Sequence, residues 1–353
     1  MLIFAYNYSE GKNNTMSYRE EKSVTKQDKA VYLNGINETI QKIKAEAAEK
    51  RKKYFSEFFN DTERYRKDLK AIFGWPINSD FDFNVEKESE ELLFAGAAYK
   101  IYRLKLRVME DLILSGLFFK KGDSKKPLIF LQNGFQGTPE LMSGFYGDTA
   151  NYNDILQTLA EFDADIFSPQ LLLWDGAAYG VEFSRPDIDN ELKRVGSSIT
   201  AVEIFAYIKV MDFFEKAYDI KSFGMIGLSY GGFYTLVVSA LDARIRSAYS
   251  CSFYHNMDML HQRSDWVWNK AGEMFSSAEI AALIYPRRLC VAMGDKDELF
   301  GTAFDTEVER LRCIFKDGDL SWFKSVKFSG GHEFYVDKAI IEILVKDLSQ
   351  SEK

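Results

Sequence analysis

Hydrophobic spacing divides the chain into two regimes. From Lys26 to Phe73 apolar residues recur at helical intervals. Asn37 is the candidate cap of a helix carrying Ile40, Ile43 and Ala47, and Asp61 of a second with Tyr65, Leu69, Ile72 and Phe73 at i, i+4, i+7 and i+8. "GWPINSD" (74–80) ends that pattern, and residues 1–26 ahead of it read as polar and irregular. Beyond Phe94 the pattern changes. "YKIYRLKLRV" (99–108) alternates like a half-buried strand, and "DLILSGLFFKK" (111–121) is placed to pair with it. "KPLIFLQNGFQG" (126–137) is a continuous apolar run ending in glycines, as expected of a strand covered on both faces. Further strands are expected at 164–170, 222–228, 245–252, 288–294 and 325–331. Helices are expected at 194–219, 231–242, 303–316 and 335–348.

Strands alternating with helices predict an α/β domain with a mostly parallel central sheet and helices on both faces. The expected organisation is an N-terminal helical extension over residues 1–93 and a catalytic α/β domain over 94–353. Lid or cap insertions are expected near 171–192, read as loop, and near 252–285.

Composition narrows the function classes. The chain of 353 residues is 46% hydrophobic and 15% aromatic, enough for a large core. Its net charge of -8 argues against nucleic acid as a partner, because phosphate binding needs a concentrated basic surface. The interspersed charges of 41–70 read as a solvated helix face. Cys251, Cys290 and Cys313 form no CxxC pair, so neither a disulfide framework nor a zinc site is expected, and Cys290 and Cys313 read as buried thiols. The start has no basic region or cleavage signature of a signal peptide, and no apolar run is long enough for a membrane span; a cytoplasmic setting without membrane contact is expected.

Candidate chemistry centres on "GLSYGGF" (227–233). Ser229 stands between an expected strand and an expected helix, flanked by Gly227 and Gly231 where a sharp turn is crowded. A serine hydroxyl there needs a base. Of three histidines, His332 in "SGGHEF" follows the last expected strand, whereas His255 and His261 read as structural. "VAMGDKDELF" offers Asp295, Asp297 and Glu298 as the carboxylate that orients the base. Asp297 is favoured, and Asp295 is expected to bond the loop backbone. The N–H of Tyr230 at the helix start and that of Phe135 in "QNGFQG", with Gln136 second, are the candidate oxyanion donors. Gln136, Trp174, Tyr254 and Trp266 are candidate pocket residues, and Arg263 reads as a salt-bridge partner rather than an anion receptor.

Together, "GLSYGG", "NGFQG", "SSITAVEIFAYIKVMDFF", "YPRRLCVAMGDKDELF" and "GGHEF" resemble a serine esterase of the α/β-hydrolase superfamily. The nearest resemblance is to its dienelactone hydrolase-like and acetyl xylan esterase-like branch, over about residues 99–349. Asn133 departs from the histidine that many members carry in that loop. The resemblance implies an α/β-hydrolase fold and hydrolysis of small or medium carboxylic esters through Ser229, His332 and Asp297, with an acyl-enzyme and no metal or cofactor. A prolyl-oligopeptidase-like peptidase would share the elbow and the order of the three residues, but no run of repeated strands precedes residue 99. A non-catalytic binding protein on the same fold is the third reading. The amphipathic N-terminal helices would suit a homodimer contact as well as self-packing.

Overall fold

The computed structural model describes residues 20–174, 179–316 and 318–349. Of the irregular segment expected over residues 1–26, positions 1–19 lie outside the described residues, as do positions 175–178 of the expected lid, whereas residues 22–26 are helical. Nine strands form one sheet: β1 (Glu86–Ala95), β2 (Lys100–Met109), β3 (Leu112–Lys120), β4 (Leu128–Gln132), β5 (Asp165–Pro169), β6 (Phe223–Leu228), β7 (Ile245–Cys251), β8 (Arg288–Gly294) and β9 (Phe323–Phe328). Their order is β1-β2-β3-β5-β4-β6-β7-β8-β9. The pairs from β1 to β5 are antiparallel, and β5 through β9 run parallel.

The parallel strands β4 to β7 are buried at nearly every position because helices cover both faces. Alternation along β4 sends Phe130 into one core, with Ile204, Tyr207 and Val210 of the helix Ile199–Tyr218. Ile129 and Leu131 go into the other, with Ile340, Leu344 and Leu348 of the helix Lys338–Ser349. Ser198 caps the first of these helices by accepting from the Ala201 N–H at 3.1 Å. The helix Tyr230–Leu241 is buried along its whole length. Strand β4 pairs with β5 on one side and β6 on the other, so the chain reverses its direction of progress across the sheet there. The loops leaving β4 and β6 at their carboxyl ends therefore diverge and leave a crevice, the usual ligand position in such sheets.

The N-terminal region differs from expectation in three ways. Lys22–Tyr54 is one continuous helix of 33 residues, with Asn37 inside it rather than capping a second one, and Ile40 and Ile43 are exposed. Asp61 does cap Thr62–Phe73, accepting from the Arg64 N–H at 3.0 Å. Residues 86–93, expected within the helical extension, belong to β1; all ten positions of that strand are exposed, so no alternation marked it. The chain divides into compact units between Glu49 and Lys50. Phe55, Phe58, Tyr65, Leu69 and Phe73 belong to the core of the larger unit, ahead of the expected boundary at 93/94. The segment expected as a lid loop contains a helix, Arg185–Arg194, capped by Ser184. Cys251 and Cys290 are buried, but Cys313 is exposed on the outer side of the helix Phe304–Phe315. Among the described residues no helix is long and apolar enough to cross a membrane.

Candidate active site

Ser229 is the single residue between β6 and the helix Tyr230–Leu241. Its backbone lies at φ 57° and ψ -115°, a conformation that costs a side-chain-bearing residue about 1–3 kcal/mol. The surroundings enforce it. The Ser229 N–H donates to Cys251 O at 2.8 Å, and its carbonyl accepts from the Phe233 N–H at 2.9 Å. A Cβ on Gly227 would stand 2.2 Å from Gly231 O, and one on Gly231 2.2 Å from Gln132 O. Both contacts are with backbone that has no room to move, which is why glycine flanks the serine. Ser229 lines a cavity of about 490 Å³ with Phe135, Trp174, Tyr230, Phe253, Trp266 and Phe300 among its walls.

His332 and Asp297 meet above the ends of β8 and β9. The His332 Nδ1–H donates to Asp297 Oδ2 at 2.8 Å, while Asp297 Oδ1 accepts from the N–H groups of Leu299 (2.9 Å) and Phe300 (3.1 Å). Burial pushes the Asp297 carboxyl up, but the His332 contact and these two N–H groups outweigh it and hold it below the usual carboxylate range. His332 Nε2 is buried and has no hydrogen-bond partner among the described residues. The histidine loop is fixed through its backbone: Asn151 Nδ2 donates to His332 O at 3.0 Å, and Ser252 Oγ to Glu333 O at 3.1 Å. Asp295, expected to bond the backbone of its own turn, instead accepts from the Gly330 N–H of the histidine loop at 3.1 Å. The Phe300 ring contacts the His332 ring at 5.6 Å and also lines the Ser229 cavity.

The loop after β4 is held by groups that sequence reasoning did not assign. Buried Asn133 donates through Nδ2 to Gly134 O (2.8 Å) and Gly137 O (2.9 Å), and the Tyr152 hydroxyl accepts from the Gly134 N–H at 3.0 Å. The departure from histidine thus leaves a clamp that shapes the turn carrying Phe135. Across the crevice, the Tyr230 N–H sits at the first position of its helix, where no intrahelical acceptor exists.

The expected pocket residues separate. Trp174 and Trp266 line the Ser229 cavity. Tyr254 does not: it is fully buried against Phe304 and Phe323, with its hydroxyl donating to Glu307 O at 3.4 Å, so it is a core residue. Gln136 lines a different cavity from Ser229. The expected salt bridge of Arg263 forms, with buried Asp265 at 2.9 Å, and its guanidinium lies 3.9 Å from the centre of the Trp174 ring.

A buried ionic network supports this wall, and nothing in the sequence marked it. Arg185 makes paired bonds to Glu203 (2.9 and 2.8 Å), bonds Asp265 Oδ2 at 3.2 Å, and donates to Leu172 O at 2.6 Å and the Tyr234 hydroxyl at 2.8 Å. The Tyr230 hydroxyl donates to the same Asp265 oxygen, and burial raises its pKa far above the ordinary range, so it stays a donor. Arg185 thereby connects both inserted segments to the residue after Ser229.

His255 is fully buried, stacked on Phe300 at 4.2 Å, with Nδ1–H donating to Asn256 O at 2.9 Å. Burial lowers its pKa from 6.5 to about 4. The unfolded chain therefore takes up this proton near pH 6.5 while the folded one refuses it until about pH 4, so stability is lost as pH falls through that window, by up to about 3 kcal/mol. Urea midpoints measured from pH 7 to pH 4 should fall less steeply for His255→Phe than for the wild type. Parallel curves would show that another group carries the acid sensitivity.

Among the described residues no three His, Cys, Asp or Glu side chains converge as a metal site requires. No protein-family model and no curated protein matches the chain. Solved structures do. A Bacteroides fragilis protein assigned as an acetyl xylan esterase superimposes with TM-score 0.62 at 14% identity, covering 78% of this chain and 76% of its own. A glucuronoyl esterase from Solibacter usitatus gives 0.59 at 14%, covering 82% and 93%. Acetyl xylan esterase 1 from Thermoanaerobacterium gives 0.55 at 14%, covering 82% and 94%. The strand order, the turn between β6 and its helix, and these superpositions identify the fold: this chain has an α/β-hydrolase fold, similar in architecture to the proteins named as acetyl xylan esterases.

Proposed function

We propose that the protein hydrolyses carboxylic esters of small or medium size through Ser229, His332 and Asp297. The observation that carries this reading is the strained turn at Ser229, which sets a hydroxyl at the wall of a 490 Å³ cavity beside a helix N-terminus. Strain of this kind persists only where surrounding structure enforces it, and it concentrates at reacting groups. The similarity to proteins named as esterases supports the choice of an ester bond.

In the proposed mechanism His332 Nε2 takes the Ser229 proton as Oγ attacks the carbonyl carbon. Asp297 holds the proton of the imidazole on Nδ1, leaving the Nε2 lone pair as the base, and stabilises the imidazolium that forms. The N–H groups of Tyr230 and Phe135 receive the developing oxyanion; one such donor contributes about 10²–10³ in rate. His332 then protonates the leaving alcohol, and water repeats the sequence on the acyl-enzyme. The ionised Asp297 keeps this arrangement across neutral pH, since its carboxyl is held below the usual range.

The test is labelling with a fluorophosphonate, followed by peptide mapping, and comparison of 4-nitrophenyl acetate and butyrate with a prolyl anilide. The expected result is a single adduct on Ser229 and turnover of the esters. Anilide cleavage with no ester preference would make it a peptidase, and absence of any adduct would leave a binding protein on this fold.

A further inference from the structure

His255 does not line the Ser229 cavity, but the ring it stacks on does. Phe300 makes three contacts that bear on the site. Its ring forms part of the cavity wall, the same ring meets the His332 imidazole at 5.6 Å and 62°, and its N–H donates to Asp297 Oδ1 at 3.1 Å. The loop around it offers that ring little support, since Leu299 before it is 57% exposed and Gly301 after it has no side chain. His255 supplies the backing. The two rings lie face to face, 4.2 Å apart and 2° from parallel, and Phe253 packs on both at 4.9 and 5.8 Å. His255 is itself held in place: Nδ1–H donates to Asn256 O at 2.9 Å, and its carbonyl accepts from Ser277 Oγ at 2.6 Å. Its Nε2 is buried with no partner among the described residues, so what this side chain presents to Phe300 is the flat face of its ring. Near enough to Asp297 and His332 to feel their charges, it stays neutral down to about pH 4 and sets no positive charge against an imidazolium at position 332.

We propose that His255 is a positioning residue for the His332–Asp297 pair, acting through Phe300. The assignment rests on the proposed serine-esterase reading. In that reading the imidazole must keep its Nδ1–H on Asp297 while Nε2 takes and returns the Ser229 proton. A Phe300 ring clamped against His255 limits how far the imidazole turns on that side. The same clamp keeps the Phe300 N–H on the carboxylate that orients the base. A displacement of about 1 Å at a reacting group can cost about 10²-fold in rate. Because His255 is not part of the cavity wall, its loss should fall on kcat and leave KM alone.

A double-mutant cycle on 4-nitrophenyl butyrate tests this. His255→Leu, which fills the space without a flat ring, is expected to lower kcat about tenfold with KM within about twofold of the wild type. His255→Phe keeps the stack and should restore kcat to within about twofold. Phe300→Leu should lower kcat as His255→Leu does, and the double variant should lose no more than the single ones, because both act through one ring. Should His255→Leu not fold, His255→Met takes its place, since methionine adapts to irregular core space. Losses that multiply in the double variant, or equal kcat values for His255→Leu and His255→Phe, would overturn the assignment. A second readout needs no substrate: the low-field proton resonance of the His332 Nδ1–H. It should be sharp in the wild type and His255→Phe and broadened by exchange in His255→Leu. If no ester is hydrolysed, the esterase reading fails and this resonance decides the positioning role alone. Broadening confined to His255→Leu upholds it; an unchanged resonance, or none in the wild type, ends it.

Discussion

Ser229→Ala is expected to lower kcat for a 4-nitrophenyl ester about 10⁶-fold, and Asp297→Asn about 10⁴-fold, with little change in KM for either. The two losses differ because the residues do different work. In the proposed mechanism, removing Oγ removes the atom that would bond the acyl group, and the remaining N–H donors would supply only what they contribute without covalent chemistry. At position 297 the fold should survive, because an asparagine carbonyl can still accept from Leu299 and Phe300 as Asp297 Oδ1 does. The amide nitrogen then faces His332 Nδ1, where the carboxylate now accepts at 2.8 Å. Two donors cannot face each other, so the imidazole would carry its proton on Nε2 and lose the lone pair needed for proton transfer. Single-turnover kinetics with both variants measures this. Retention of more than a hundredth of wild-type kcat in Ser229→Ala would remove the serine from the mechanism.

Arg185→Ala should destabilise the protein by about 3–5 kcal/mol, read as a shift in the urea midpoint at constant slope. The guanidinium is fully buried between Glu203 and Asp265, and deleting it strands Glu203 without its cation. The effect should be smaller when Glu203→Met accompanies Arg185→Met, because the buried charge is then removed together with its partner. Activity should suffer in parallel. Arg185 anchors Leu172 O, two residues from Trp174, and Asp265, which neighbours Trp266 and receives the Tyr230 hydroxyl. Loosening that wall is expected to raise KM for bulky acyl esters more than for acetate. A change in stability below about 1 kcal/mol would show that the network is replaceable by water.

Much of the sheet was legible because its strands announce themselves locally. The β4 run "LIFLQ" is apolar up to Gln132 and the β6 run "FGMIGL" is apolar throughout, and glycines follow each where the chain must turn. Strand β1 was not legible: its side chains are exposed on both faces, and it exists because its backbone pairs with β2. The helix Lys22–Tyr54 runs through the expected cap at Asn37, since an asparagine caps only where the backbone leaves helical geometry. Ser229, Asp297 and His332 stood out as candidates because each follows a recognisable strand in a glycine-containing loop, and the contact of His332 with Asp297 joins two of those loops. Tyr254 misled because an aromatic near an inserted segment has the same signature whether it faces a cavity or the core.

The amino-acid sequence by itself determined the alternation of strands and helices, the turn at Ser229 and the three groups proposed for the chemistry. These are local properties: periodicity of burial, and the need for glycine where backbone meets backbone. Which aromatics wall the cavity, and how Arg185 unites two segments and Tyr230, were decided only by tertiary structure. Those features depend on side chains distant in sequence being brought within about 3–5 Å, and on the desolvation that makes a buried charge require its partner.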